Sequence, residues 1–477
     1  MEYLLYLAIV VPIAGAFLLP LISRISAALR NGLALLFVLC SFVCSAIMLP
    51  SALHGNAVQF YVALPLGMSF GFLADGLAVF MAMISSFVGA IIVLYSFTYI
   101  DSGDKDEYYL MVTLFLGAMM GLVYSTNLIL LYTFWEISAV CCWRLIGYYR
   151  EKEYVFRANK AFLVTVFGAL MMLLGFLLVY QQTGSFSIPE IQEKLQGQPL
   201  SNWAVALILL GLLSKSATLP LHTWLPDAGV APAPVTSLLH AAVLVKIGVY
   251  AFARLFLVSF SVGDVWHTVV PVVAAVSALV SAGAAIREND LKRIIAYSTV
   301  SQLGFIFLGL SSGSAFGIAG GLLYILMHSI AKGGLFLCAG VVEHNTHTKD
   351  IRKLGGLIKT MPVTAVSFLL CAFSIMGIPP FGGFFSKYMV IGGAAEAGNA
   401  WISAVFVLGA VMTIIYLLRA FMRVFLGQMR TEAREESRSM VASVAGLGAL
   451  SLLSGLLIMF PAGFVQDIVT KMGGMFQ

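Results

Sequence analysis

Apolar residues in this chain come in long unbroken runs, not in the alternating or one-faced patterns of soluble strands and helices. Fourteen runs recur, near 2–23, 31–51, 73–100, 108–124, 127–148, 158–180, 202–220, 232–258, 266–286, 293–311, 316–342, 361–391, 400–426 and 440–464. A helix rises about 1.5 Å per residue, so about 20 residues cross the hydrocarbon core of a bilayer. The runs are too long and too uniformly apolar for barrel strands, and a backbone in lipid must satisfy its own hydrogen bonds. The pattern predicts an all-α, polytopic membrane protein of about 14 transmembrane helices, with the eleventh and twelfth runs long and interrupted.

Composition agrees. The 477 residues are 60% hydrophobic and 10% charged, which no soluble domain matches. The chain opens Met1-Glu2-Tyr3 with no basic leader, so the first run reads as a retained helix rather than a signal peptide. Alternating the loops from an external N-terminus places 20 of the 27 basic residues on the cytoplasmic side, among them Arg24, Arg144, Arg150, Arg287, Arg352 and Arg438. Only Lys194 and Lys471 fall outside. This split predicts both termini outside and accounts for most of the +5 net charge, with no call for nucleic acid.

Proline and glycine break two runs. The first break is Pro220-Leu-His-Thr-Trp-Leu-Pro226-Asp, continuing into Ala231-Pro232-Ala233-Pro234; the second is Gly377-Ile-Pro379-Pro380-Phe-Gly382-Gly383. Pro220 and Pro379 lie 159 residues apart. The stretches starting near 108 and 266 share about that offset, and each supplies five helices with the break in its fourth. Five is odd, so the second copy enters the membrane upside down. Two inverted five-helix repeats with broken seventh and twelfth helices are an architecture of ion-translocating proteins. The expected division is 1–107 (three N-terminal helices), 108–258 and 266–426 (the repeats), and 427–477 (a cytoplasmic connection and the last helix).

Isolated charges inside the runs are the candidate chemistry. Glu136, Lys215, Lys246, Lys332 and Lys387 each sit in hydrocarbon-length apolar sequence, where a charge costs about 2.5–3.5 kcal/mol on insertion scales. Buried Lys and Glu exchange protons more readily near neutral pH, so a row of them reads as a proton pathway. Glu136 and Lys215, five residues before Pro220, are expected to pair across helices as a switch, the alternative being a static ion pair. His240 and Lys246 share a helix but not a face; His328 and Lys332, four apart, share one and suit proton hand-off. Lys387 follows the second break, toward the external side. His222, with Trp224 and Asp227 in the first break, is either a relay or a partner for freed carbonyls. Asp75 opens the third helix and reads as a cap or loop contact.

The six cysteines fall in apolar segments without C-x-x-C or metal-ligand spacing, and no phosphate loop, dinucleotide fingerprint or catalytic triad is present. No catalytic residue, metal site or cofactor is therefore expected in this chain; redox chemistry, if coupled to it, belongs to another subunit.

Four blocks carry a family resemblance: Phe134-Trp-Glu136; Lys215 through Leu221-His-Thr-Trp-Leu-Pro-Asp227 to Val245-Lys246-Ile-Gly-Val-Tyr250; Asp290-Leu-Lys-Arg-Ile-Ile-Ala-Tyr-Ser-Thr-Val-Ser-Gln-Leu-Gly304; and Pro379-Pro-Phe-Gly-Gly-Phe-Phe-Ser-Lys387. Over nearly its whole length the chain resembles the antiporter-like subunits of respiratory complex I (NADH:quinone oxidoreductase), of Mrp sodium/proton antiporters and of membrane-bound energy-converting hydrogenases. The resemblance implies that Glu136 and Lys215 are a coupled pair, Lys246 the central relay lysine, His328 and Lys332 part of a connecting axis, and Lys387 the exit-side lysine. It implies partners too: other membrane subunits of such an assembly, protons and possibly sodium, in the cytoplasmic membrane of a bacterium or archaeon. A stand-alone cation/proton transporter and a non-transporting scaffold subunit are the rival readings.

Overall fold

The computed structural model describes residues 1–63 and 69–472. Helices dominate: α1 (Glu2–Ser23), α2 (Ala27–Leu53), α3 (Gly76–Tyr99), α4 (Lys105–Tyr124), α5 (Leu128–Ile146), α6 (Lys152–Thr183), α7 (Ile188–Leu195), α8 (Asn202–Lys215), α9 (Trp224–Asp227), α10 (Ala233–Ser237), α11 (Leu244–Phe252), α12 (Trp266–Arg287), α13 (Leu291–Leu310), α14 (Ala315–Thr346), α15 (Pro362–Met376), α16 (Gly382–Glu396), α17 (Ala400–Phe425), α18 (Arg438–Leu456) and α19 (Met459–Met472). Among the described residues twelve spans are long and apolar enough to cross a membrane, counting residues 233–259 as one. Two more are built from pieces: α8 with α9, and α15 with α16. Fourteen spans result among the described residues, with the seventh and twelfth broken as the proline pattern predicts.

Helix starts follow the polar residues between runs. Ser26, Asp75, Asp104, Asn127, Ser201, Asp290, Ser314 and Ser437 each accept a backbone N–H from the first turn of the helix that follows. Capping of this kind satisfies donors that lipid cannot.

Three features depart from the sequence reading. The eleventh span, expected to be interrupted, is one continuous helix of 32 residues, α14. Its paired glycines admit neighbours instead of breaking it: a Cβ at Gly334 would lie 2.3 Å from Cys371 Sγ, and one at Gly320 2.7 Å from the Val390 backbone nitrogen. A small antiparallel hairpin, β1 (Val58–Ala63) with β2 (Ser69–Ala74), occupies the loop before α3. The last run ends at Leu456, and α19 follows as a separate helix packed against α14 and α2.

The inverted repeat is written into the loops. Asn127 bridges Ser187 on one face of the bundle, and Asp290 bridges Asp350, 163 residues later in both strands, on the other. Leu128 N donates to Phe186 O and Ile188 N to Thr126 O; Leu291 N donates to Lys349 O and Ile351 N to Asn289 O. The preceding helices α6 and α14 both run 32 residues and end on a left-handed residue, Gly184 and His347. In the second copy Arg352 donates through its guanidinium and backbone N–H to Asp350, pulling that carboxyl down to about 2.

The core lies where the repeats meet. In the eleventh span 94% of the most apolar stretch is buried, against 33% in the second, so α14 is sheltered from lipid and α2 lies at the edge. The eighth and tenth spans, at 89%, share the centre.

Asp75 is the cap the sequence suggests, accepting from Ala78 N. It also takes both guanidinium nitrogens of Arg254, at 2.6 and 2.7 Å, while Arg254 Nε donates to Tyr250 Oη. Replacing Arg254 with alanine would leave this carboxylate without its partner. We expect a stability loss of about 2–3 kcal/mol, at the low end for a buried pair because Asp75 keeps some exposure. The thermal unfolding midpoint of the detergent-solubilised protein would report it.

Candidate functional site

Lys246 and His328 meet at the centre of the bundle. Lys246 Nζ is 2.6 Å from His328 Nδ1, and neither residue has measurable exposure. This is a contact between α11 and α14, not along one helix. The eighth span delivers Lys246 through an irregular path: α10, a π turn over Leu238–Ala242, a distorted Val243 (φ −126°, ψ −74°), α11, then a second π segment over Ala253–Ser259. Each π turn inserts a residue and re-phases the side chains around it. His240 sits in the first π turn, its ring 4.3 Å from that of Phe336, and both ring nitrogens are buried without a protein partner. His328 Nε2 is likewise unpartnered. Two cations cannot share a 2.6 Å contact away from solvent, so at most one of Lys246 and His328 is charged in this arrangement.

Lys332 shares a face with His328 but turns to another helix. Its Nζ donates to Ser298 Oγ at 2.5 Å and Ile295 O at 3.2 Å, both on α13. Ser298 Oγ bonds Tyr416 Oη on α17 at 2.8 Å. Gln302 Nε2 donates to Tyr416 Oη (3.2 Å) and Thr413 Oγ1 (3.1 Å), and Gln302 Oε1 accepts from Tyr324 Oη at 2.5 Å. All of these side chains are buried. Lys387 lies just beyond, with Nζ 4.4 Å from the Phe305 ring centroid and 5.7 Å from that of Tyr324. Its hydrogen bond goes to Ile375 O at 2.7 Å, a carbonyl freed by the break between α15 and α16. Lys387 is therefore both a buried lysine of this region and a cap for the broken helix.

The first break is closed differently. Trp224 Nε1 donates to Ser214 O at 3.0 Å, so an indole satisfies the freed carbonyl there. Lys215 Nζ donates to Trp135 O at 3.1 Å and lies 5.3 Å from that indole ring. The expected Glu136–Lys215 ion pair is not formed: among the described residues no carboxylate lies within 4.0 Å of Lys215. Trp135 faces inward and its neighbour Glu136 turns toward the outer side of α5, where it lines a groove of about 520 Å³ with Met111, Leu114, Tyr132 and Thr133. Glu136 Oε1 is buried and unpartnered. The two groups are near enough to feel each other through space but are not in contact.

His222 lies at the partly exposed end of the first break, away from the central row, with Nδ1 unpartnered. Asp227 anchors the arginine-rich face, taking Lys160 at 2.7 Å, Arg293 at 2.8 Å and Arg157 at 3.6 Å. The structure thus gathers Lys246, His328, His240, Lys332 and Lys387 into one buried polar region and leaves Glu136, Lys215 and His222 to one side. Ser298, Gln302, Tyr324 and Tyr416 were not singled out from sequence. Their signal is faint: hydroxyls and an amide within buried apolar helices, notably Tyr297-Ser-Thr-Val-Ser-Gln302.

Comparison with known proteins follows this geometry. The profile described as "NADH:quinone oxidoreductase/Mrp antiporter, TM" matches residues 125–413, and that of "NADH-Ubiquinone oxidoreductase (complex I), chain 5 N-terminus" matches residues 62–109. The chain is similar to Na(+)/H(+) antiporter subunit A1 of Staphylococcus aureus, 33% identical over 98% of this chain, but spans only 62% of that relative's length. In fold it is similar to a chain of the Mrp complex from Dietzia sp. DQ12-45-1b (TM-score 0.91, 24% identity, all of both chains). It is also similar to a chain of respiratory complex I from Thermus thermophilus (TM-score 0.88, 24% identity, 99% of this chain and 100% of that one). A chain of an archaeal membrane-bound sulfane sulfur reductase gives a TM-score of 0.90 at 24% identity, over 99% of this chain and 98% of that one.

Proposed function

Because the chain belongs to the NADH:quinone oxidoreductase/Mrp antiporter transmembrane family, we propose that it is a proton-translocating, antiporter-like subunit of a multisubunit membrane complex. The contact between Lys246 and His328 carries this reading: two titratable groups in hydrogen-bond reach, sealed at the centre of fourteen spans. Protons pass along Lys246, His328, Lys332 and Lys387, with His240 between the eighth and eleventh spans. Glu136 and Lys215 act as the input: a change in the charge or cover of Glu136 alters the field at Lys215 and biases Lys246. His222 lies at the end of the route nearest the arginine-rich face.

The driving event belongs to partners, through redox chemistry or an opposing ion gradient. The name of the Staphylococcus aureus relative supports exchange against sodium. Segments 108–258 and 266–426 form the two half-pathways, flanked by 1–107 and 427–477. We place the protein in the cytoplasmic membrane of a bacterium or archaeon with both termini outside, which sets the basic loops on the cytoplasmic side.

The test is proton pumping into membrane vesicles holding the intact complex, wild type against Lys246→Ala. Collapse of pumping with normal assembly is the expected result. Unchanged pumping would leave the chain as a scaffold, and pumping by the purified chain without partners would make it a stand-alone transporter.

A further inference from the structure

Resting on the proton-relay reading, we infer that Gln302 is a positioning residue that sets the hydrogen-bond direction around Lys332 through Tyr416 and Ser298. The chain of contacts runs Tyr324–Gln302–Tyr416–Ser298–Lys332, across α13, α14 and α17, with every member buried. It resembles a wire, but an amide sits in its middle. Hydroxyls pass protons by accepting on one lone pair and donating their own hydrogen; an amide would have to tautomerise to do so. The chain therefore does not conduct between Lys332 and Lys387. It can orient.

The direction follows from donor inventory. Gln302 Nε2 can only donate, so Tyr416 Oη and Thr413 Oγ1 are acceptors toward it. Tyr324 Oη donates to Gln302 Oε1 at 2.5 Å, and the amide nitrogen is held toward Thr413 Oγ1 because that hydroxyl has its hydrogen on Gly409 O and can only accept. Thr413 sends its own hydrogen to Gly409 O at 2.8 Å. Tyr416, already accepting, turns its hydrogen to Ser298 Oγ, 2.8 Å away. Ser298 Oγ has two acceptor lone pairs, one facing Tyr416 Oη and the other taken by Lys332 Nζ, which donates to it at 2.5 Å. Lys332 can donate there as an amine or as an ammonium. Without Gln302 the Tyr416–Ser298 pair is free to reverse, and the hydroxyl dipoles that face Lys332 turn over with it. The protonation of Lys332 is thus tied to the state of a hydroxyl pair that Gln302 biases.

Other ionisable groups face this region and share in any pH dependence. They are His328 and Tyr324 on the same helix, Lys246 and His240 from the eighth span, Lys387 from α16, Tyr416 from α17, Cys371 from α15 and Tyr95 from α3. Substituting Gln302 or Ser298 removes none of these ionisable groups, and of those named only Tyr324 and Tyr416 lose a hydrogen-bond partner.

The experiment measures initial proton translocation against pH in vesicles of the intact complex, for wild type, Gln302→Leu, Ser298→Ala, Ser298→Thr and Lys332→Ala. The expected result is a pH profile displaced by half a unit or more in both Gln302→Leu and Ser298→Ala, with Ser298→Thr returning toward wild type because it keeps the hydroxyl. Superimposable profiles for wild type, Gln302→Leu and Ser298→Ala, with transport lost in Lys332→Ala, would overturn the positioning role and leave the relay standing. Wild-type transport in Lys332→Ala would overturn the relay itself. Should Gln302→Leu fail to assemble, the Ser298 pair decides alone.

Discussion

Replacing His328 with glutamine is expected to cut proton translocation about 100-fold while the complex still assembles. Glutamine is close to histidine in volume and offers Oε1 as an acceptor, so Lys246 Nζ keeps a hydrogen bond where His328 Nδ1 now supplies it at 2.6 Å. That contact is the sole side-chain hydrogen bond of Lys246 among the described residues. The amide cannot take up and release a proton near neutral pH. His328→Gln thus separates holding Lys246 in place from exchanging a proton with it. His328→Ala removes both and should transport no better, with lower abundance from the cavity left in a closed core. Translocation in vesicles, normalised to assembled complex, is the readout. Wild-type rates in His328→Gln would sink the exchange role and reduce His328 to a bracket for the lysine.

The proposed relay and input differ in how much of each could be read from sequence. An isolated lysine in an apolar run is conspicuous, because lipid makes the surrounding residues uniform; Lys246, Lys332 and Lys387 stand out for that reason alone. Proline is equally legible, since it removes a donor and clashes with the preceding turn, and both predicted breaks occur at their prolines. What a side chain touches is not periodic and does not show. His328 and Lys332 share a face, yet one bonds α11 and the other α13, because α14 is packed on several sides. Glu136 and Lys215 are isolated charges in two apolar runs that invite pairing, yet the lysine finds the Trp135 carbonyl and the acid turns outward. Length misleads most: the long eleventh run reads as interrupted, yet it is one unbroken helix whose paired glycines are contact points. The π turn that carries His240 leaves no sequence mark of its own.

The second large effect is expected from a single methyl group at the twelfth-span break. A Cβ at Gly383 would lie 1.8 Å from Ser374 O and 2.7 Å from the carbonyl carbon, with backbone, not a flexible side chain, in the way. Ser374 belongs to the last turn of α15, and the next carbonyl, Ile375 O, is the one that Lys387 Nζ holds at 2.7 Å. From the other side α18 closes the gap, since a Cβ at Gly455 would lie 2.0 Å from Pro380 O, so the half-helices have little room to part. Gly383→Ala should therefore cost about 3 kcal/mol, at the upper end for overpacking, and pull Ile375 O away from Lys387. Gly446→Ala is the matched control: it lies inside α18 with nothing within 4 Å of the added Cβ, and helix propensity predicts a gain of up to about 1 kcal/mol. Thermal unfolding of the purified complex and translocation per assembled complex should both fall for Gly383→Ala and hold for Gly446→Ala. Equal behaviour of the two would mean that the break relaxes freely around the new methyl. Lys387 would then keep its place without the tight approach of α15 and α16, and the broken helix would be a compliant joint rather than a rigid seat for the lysine.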